Sequence, residues 1–244
     1  MTSGRCTADF GWCSRTTLRL VRADGFELEV IDEDPETFHQ RAFDVGRRAL
    51  WVPRLDTRRV LVLGSSQRED TLNHRVLDRT GISVTRRRTG GGAVLVSAGD
   101  LVWFDIVITP TDVLWVDDVG RSFNWLGAAV QDALSSLGVD TRRHEGSLIK
   151  TEWSDRVCFA GVGPGELLID DHKLVGMSQR RTKSAARFQV AILRSWDGAE
   201  HRSFFDVPDN ESAEADRTLQ SVARGIPHPP GEIMAAVVAS LAHH

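Results

Sequence analysis

With 244 residues, 41% of them hydrophobic, the chain is long enough to bury one large core or two small ones. Its formal charge of -4 argues against a general nucleic-acid binder, which carries a basic excess. The apolar run LVWFDIVI at 101–108 is interrupted by Asp105 and far too short to span a bilayer. The opening residues MTSGRCTADFGWCSRTT hold no apolar segment of signal-peptide type, so a cytoplasmic location without a membrane partner is expected. Cys6, Cys13 and Cys158 are an odd number and do not suggest a disulfide framework. No histidine stands near Cys6 and Cys13, and no metal site is expected.

In chain order, TTLRLVRADGFELEVIDED reads as two short strands around a turn at Asp24 and Gly25. Residues 34–52 predict an amphipathic helix, with Asp34 as N-cap, Pro35 at the first helical position, and Phe38, Ala42, Phe43, Val45 and Leu50 near helical spacing. RRVLVLGSSQ predicts a buried strand ending on Gly64, and REDTLNHRVLDRTG a helix closed by Gly81. ISVTRRR is a strand leading into a glycine loop. AVLVS and LVWFDIVIT, separated by AGD, carry a hairpin signal. A helix follows from about 118 to 137, closed by Gly138. RVCFAG, GELLIDDHKLVGMSQRR and ARFQVAILRSW read as strands, the second turning at Asp170 and Asp171. Two helices, at about 211–224 and 231–244, end the chain. Strands in runs with helices interspersed imply an α+β fold with a central mixed, largely antiparallel sheet flanked by helices. One domain over 1–244 is expected, with its core at about 58–195 and a helical cap at about 210–244.

Chemistry concentrates first in RRRTGGGAV. Gly90, Gly91 and Gly92 can take positive φ and leave their amides unshielded, and successive bare amides suit an anion. Arg86, Arg87 and Arg88 add charge upstream, although in an extended strand Arg87 points away from the other two. The pattern fits a cradle for phosphate or carboxylate, and equally a tight turn with solvated arginines. It is neither a P-loop nor a dinucleotide fingerprint. Lys173 stands in an apolar strand just after a turn. It fits the polar face of a half-exposed strand, or an inward ammonium that requires a partner or a function. Gly176, a strand glycine, marks close approach by a ligand or another backbone. Cys158 reads as a small buried hydrophobe or, if exposed beside a cation, as a nucleophile.

RRRTGGGAV, the strand pair and long helix behind it, and CFAGVGPGELLIDDHKLVGMSQRRT together resemble the lipoate–protein ligase A family, within the wider biotin/lipoate ligase and octanoyltransferase superfamily. The resemblance runs from 61–67 to 187–193, a little over half the chain. It implies a biotin-ligase-like catalytic domain of the class II aminoacyl-tRNA-synthetase kind, with no separate accessory domain. It implies that lipoate or octanoate is activated with ATP and Mg2+ as acyl-AMP. The acyl group would then pass to a lysine of a lipoyl-acceptor domain, in a 2-oxoacid dehydrogenase acyltransferase subunit or a glycine-cleavage H protein. By the same resemblance Arg87, Arg88, Thr89, Gly90, Gly91, Gly92, Ala93 and Gly176 bind the acyl-adenylate and Lys173 is the essential lysine. Val94, Phe104 and Val175 are candidates for an apolar slot around the acyl tail. The basic residues Arg180, Arg181, Lys183 and Arg187 fit either a solvated turn or a rim that steers an acidic acceptor. CF…GEL…KLVG is also similar to the branch that transfers octanoyl or lipoyl groups through a cysteine thioester. There Cys158 would be the nucleophile, an acyl carrier protein the donor, and ATP unused. Where many members carry aromatic-His-Asp after GGGAV, this chain has Leu95, Val96 and Ser97, so a non-catalytic lipoate-binding homologue is a third reading.

Overall fold

The computed structural model describes residues 19–23, 25–55 and 58–244; Cys6, Cys13 and Asp24 lie outside them. Two sheets carry the fold. The larger has eight strands in the order β1 (Arg19–Ala23), β2 (Phe26–Ile31), β3 (Ala49–Pro53), β7 (Leu101–Ile108), β11 (Ala186–Leu193), β10 (His172–Arg181), β9 (Leu167–Ile169) and β8 (Arg142–Arg143). Only β2 and β3 run parallel among its neighbouring pairs. The smaller sheet has three strands in the order β5 (Ser83–Arg86), β4 (Val60–Leu63) and β6 (Val94–Val96), with β4 parallel to β5 and antiparallel to β6. Helices α1 (Pro35–Gln40), α2 (His74–Thr80), α3 (Asn124–Ser136), α4 (Gly198–Ser203), α5 (Asp209–Gln220) and α6 (Pro230–Leu241) flank the sheets. This is the mixed, largely antiparallel α+β arrangement that the element order implies. No helix of the described residues is long and apolar enough to cross a membrane.

The apolar runs find cover on both faces. In β4, Val60 and Val62 join the main core with Trp51, Phe104 and Phe188, while Leu61 and Leu63 join a second cluster with Leu77, Phe204 and Leu219. β7 and β11 are buried at every position, as a strand covered on both sides must be. Leu126, Val130 and Leu134 of α3 and Ile233 and Val237 of α6 lie in the same main core. The Ser240 hydroxyl of α6 donates to the Ala129 carbonyl of α3 at 2.7 Å. Each fully buried large side chain contributes about 1.5–3 kcal/mol.

Local signals place most boundaries. Asp34 caps α1, accepting from the Thr37 amide at 3.0 Å. Gly81 and Gly138 take positive φ of 65° and 78° just past α2 and α3. The β9–β10 hairpin turns at Asp170, whose φ is 52°. Three expectations fail. The helix over 34–52 stops at Gln40, because 49–53 enter the large sheet as β3 beside β2 and bury Leu50 and Trp51 there. The turn between β6 and β7 exists, with Ser97 Oγ donating to Asp100 Oδ2 at 2.5 Å, yet the two strands part into different sheets. RVCFAG is not a strand. Its residues Cys158–Ala160 form one 3-10 turn after the Cys158 amide bonds to the Ala93 carbonyl at 3.0 Å. Helix α4 is not anticipated.

Candidate functional site

β5 delivers three arginines to three different environments. Arg86 donates to the carbonyls of Gly64 at 2.9 Å and Gln67 at 2.6 Å and to Glu69 at 2.8 Å, bracing the loop after β4. Arg87 turns inward and is 1% exposed. Its Nε donates to Thr89 Oγ1 at 2.9 Å, and its terminal nitrogens donate to the carbonyls of Val62 at 3.1 Å, Gly90 at 2.7 Å and Gly92 at 2.9 Å. Arg88 is exposed. The arginines therefore do not converge on one anion; Arg87 shapes the glycine loop from beneath. Burial lowers the Arg87 pKa, and the adjacent Cys158 side chain opposes that shift.

The glycines are required by space as well as by torsion. Gly91 has φ 94°, a left-handed conformation, and a Cβ there would stand 3.1 Å from an Arg87 nitrogen. A Cβ on Gly92 would stand 2.6 Å from the Val157 carbonyl carbon, so this glycine lets the chain before Cys158 pack on the loop. Ala93 completes that junction, its amide donating to the Arg156 carbonyl at 2.7 Å. Among the described residues, the amides of Gly90, Gly91 and Gly92 donate to no protein acceptor.

Lys173 is 2% exposed, so it does not occupy the polar face of a half-exposed strand. An irregularity in the β9–β10 pairing falls between Lys173 and Val175. Its Nζ lies 2.7 Å from Glu166 Oε2, 2.7 Å from the Gly161 carbonyl and 3.0 Å from the Cys158 carbonyl. Three acceptors match the three protons of the ammonium. Glu166, 4% exposed, also accepts from the amides of Gly163 at 2.6 Å and Met177 at 2.8 Å. A buried ion pair persists only when its remaining valences are satisfied in this way. Gly176 leaves room beside the lysine, since a Cβ there would stand 3.5 Å from Lys173 Cε and 3.3 Å from the Phe159 ring.

The lysine and the glycine loop face one cavity of about 710 Å³, whose lining includes Gly90, Gly91, Gly92, Cys158, Glu166 and Lys173. Beside it lies a narrow slot with walls from Val94, Trp103, Phe159, Met177 and Ala191 and polar groups from Arg87 and Gln189. Cys158, Met177 and Ser178 line both spaces. All three residues expected at a slot are buried in the main core, and of them Val94 lines the slot while Phe104 and Val175 do not. Strand alternation keeps Phe104 away from the slot, since it and its neighbour Trp103, which lines the slot, point to opposite faces of β7.

Beneath the loop runs a buried polar network that sequence reasoning missed. Thr89 Oγ1 accepts from Ser178 at 3.0 Å and donates to Gln189 Oε1 at 3.0 Å. Gln189 Nε2 reaches Asp105 Oδ2 at 3.2 Å and His39 Nδ1 at 3.3 Å, and Arg187 donates to the same Asp105 oxygen at 2.5 Å. Burial lowers the His39 pKa from 6.5 to about 3, with the Arg187 and Arg87 charges acting the same way, so the imidazole is neutral and Nδ1 is free to accept. Burial pushes Asp105 up, against the pull of Arg187. One signal was present: Asp105 interrupts an otherwise apolar strand. Glu166 left none. Among the described residues, no group of three or more His, Cys, Asp or Glu is placed to hold a metal.

A family model described as the lipoyl protein ligase A/B catalytic domain matches residues 45–227. Lipoate-protein ligase A subunit 1 of Thermoplasma acidophilum is 26% identical over 154 residues, covering 63% of this chain and 54% of that protein, so the chain spans about half the length of this curated relative. Solved structures share the fold. A bi-partite lipoate protein ligase with its E2 lipoyl domain, from T. acidophilum, matches with a TM-score of 0.68 at 20% identity, over 88% of this chain and 82% of that one. A lipoate-protein ligase A bound with ATP matches with 0.64 at 22% identity, over 86% and 77%. A T. acidophilum protein with bound lipoic acid matches with 0.57 at 20% identity, over 86% and 92%.

Proposed function

Because the chain belongs to the lipoyl protein ligase A/B catalytic domain family, we propose that it activates lipoate or octanoate with ATP and transfers the acyl group to a lysine of a lipoyl-acceptor domain. The observation that carries this reading is the convergence of Lys173 and the free amides of Gly90, Gly91 and Gly92 on one cavity beside a largely apolar slot. ATP and lipoic acid in two structures of the same fold support the choice of substrates. The E2 lipoyl domain named with a third supports a lipoyl domain as acceptor; on this reading it belongs to a 2-oxoacid dehydrogenase acyltransferase subunit or a glycine-cleavage H protein.

In the first step a carboxylate oxygen of the acid attacks the α-phosphorus of ATP, and the bond to pyrophosphate breaks. Anionic oxygens crowd together there. The Lys173 ammonium is a compact cation that can exchange one of its carbonyl partners for a ligand oxygen, while the loop amides receive phosphate oxygens. Mg2+ would enter with the nucleotide and would neutralise the departing pyrophosphate. In the second step the acceptor lysine amine attacks the acyl carbon, the bond to AMP breaks, and the amine loses a proton as the amide forms. Lys173 stands beside the oxyanion that develops. The test is incubation of the purified chain with ATP, Mg2+ and octanoate. Pyrophosphate release is expected, and Lys173→Ala is expected to lower it by at least about 10²–10³-fold. Wild-type release by that variant would refute the assignment.

One observation favours a second reading. The Cys158 side chain opens on the cavity between the glycine loop and the slot, and the carbonyl of the same residue holds Lys173 at 3.0 Å. In a cysteine-dependent transferase this thiol would take the acyl group from a carrier-protein thioester and pass it to the acceptor lysine without ATP. Cys158→Ser abolishes acyl transfer under this reading and leaves pyrophosphate release intact under the first.

A further inference from the structure

The slot holds only about 10 Å³ of free volume, room for a water molecule at most. An acyl tail enters it only if a wall moves. Most walls are pinned. Trp103 Nε1 donates to Asp105 at 2.7 Å, and its ring meets His39 edge-on at 5.2 Å. Phe159 packs on Trp196 at 5.8 Å and is 2% exposed. Val94 and Ala191 are short side chains on paired strands. Gln189, Ser178 and Arg87 are tied into the network around Thr89.

Met177 differs. It is 9% exposed, lines both the cavity and the slot, and its side chain has no polar anchor. Its backbone, in contrast, is fixed on two sides: the amide donates to Glu166 Oε1 at 2.8 Å, and the residue pairs with Val190 in the β10–β11 ladder. Methionine is unbranched and flexible, so it can swing while the strand stays in place. We infer that Met177 is the movable wall of the slot and, against the fixed Trp103, determines which unbranched acids enter and how long their chains can be. This rests on the slot receiving the acyl tail in the activity proposed above.

Calorimetric binding of octanoate and dodecanoate to the full chain tests it without requiring turnover. Met177→Ala is expected to raise the affinity ratio of dodecanoate to octanoate by about tenfold or more. Met177→Leu conserves volume and keeps the core folded. Its branch point limits how far the wall can swing, so weaker binding of both acids is expected, and this variant carries the test if the alanine variant does not fold. Affinities unaltered in both variants overturn the inference, as does the absence of binding of either acid by wild type and variants. Pyrophosphate formation is measured on the same preparations. A shifted ratio without pyrophosphate upholds Met177 as the wall and sinks the ATP-dependent reading; pyrophosphate with unaltered affinities does the reverse.

Discussion

Lys173 and Glu166 concentrate the physics of the site into one pair. Both are almost wholly buried, 2.7 Å apart, and the carboxylate also holds the Met177 amide and so the strand that carries the slot wall. Removing one partner leaves the other charge buried alone. Glu166→Gln is therefore expected to cost about 3–5 kcal/mol of stability in urea unfolding. Adding Lys173→Met to that variant removes the stranded ammonium and is expected to recover much of the loss while leaving the protein inactive, the non-additivity that marks a coupled pair. Additive losses in the double variant would mean that the two residues act independently. Lys173 also shows how far local pattern reaches. A lysine between His172 and Leu174 fits an outward strand position, and its inward placement beside Glu166 becomes apparent only in the folded chain.

At the scale of elements, the glycine loop is a junction where β5, β6 and the segment before Cys158 meet without room for side chains. The loop glycines are not equivalent. A Cβ on Gly92 would stand 2.6–2.7 Å from backbone atoms of Val157 and Cys158, whereas one on Gly90 meets nothing within 4 Å. Gly92→Ala is expected to cost about 1–3 kcal/mol, seen as a lower Tm. Gly90→Ala is expected to stay within about 0.5 kcal/mol of wild type. Equal melting temperatures for the two variants would contradict this packing. The loop itself was legible in the sequence because consecutive glycines have few other uses. The role of Arg87 was not: its three carbonyl acceptors include Val62 of another strand, which no reading of neighbours supplies.

Across the whole molecule, the buried network joins α1 to the glycine loop through β7 and β11, and it makes stability depend on pH. His39 titrates at about 3 in the folded protein against 6.5 ordinarily. Between those values the unfolded chain binds a proton that the native state refuses, so stability falls as pH drops through this window and is fully present above it. The contribution is on the order of 3–5 kcal/mol. Asp105, raised by burial, works in the opposite sense, since protonation favours its folded form. The difference between wild type and His39→Gln isolates the histidine: urea midpoints measured from pH 7 to pH 4 are expected to decline less steeply in the variant. Parallel declines would place His39 outside the linkage.

The sequence by itself determined what local rules govern: the Asp34 cap, the closing glycines Gly81 and Gly138, the Asp170 turn, the apolar runs that become β4, β7 and β11, and the family motif around Lys173. Only the tertiary structure decided where those pieces go. It drew 49–53 out of a helical pattern into the large sheet, sent β6 and β7 to different sheets, and turned Arg87 inward. It also brought Thr89 to Gln189 across a separation of 100 positions. Capping and turn geometry involve residues within a few positions of one another, and so are written in short stretches. Pairing partners and buried charge balance depend on chain segments far apart in sequence, and become defined only when the core closes around them.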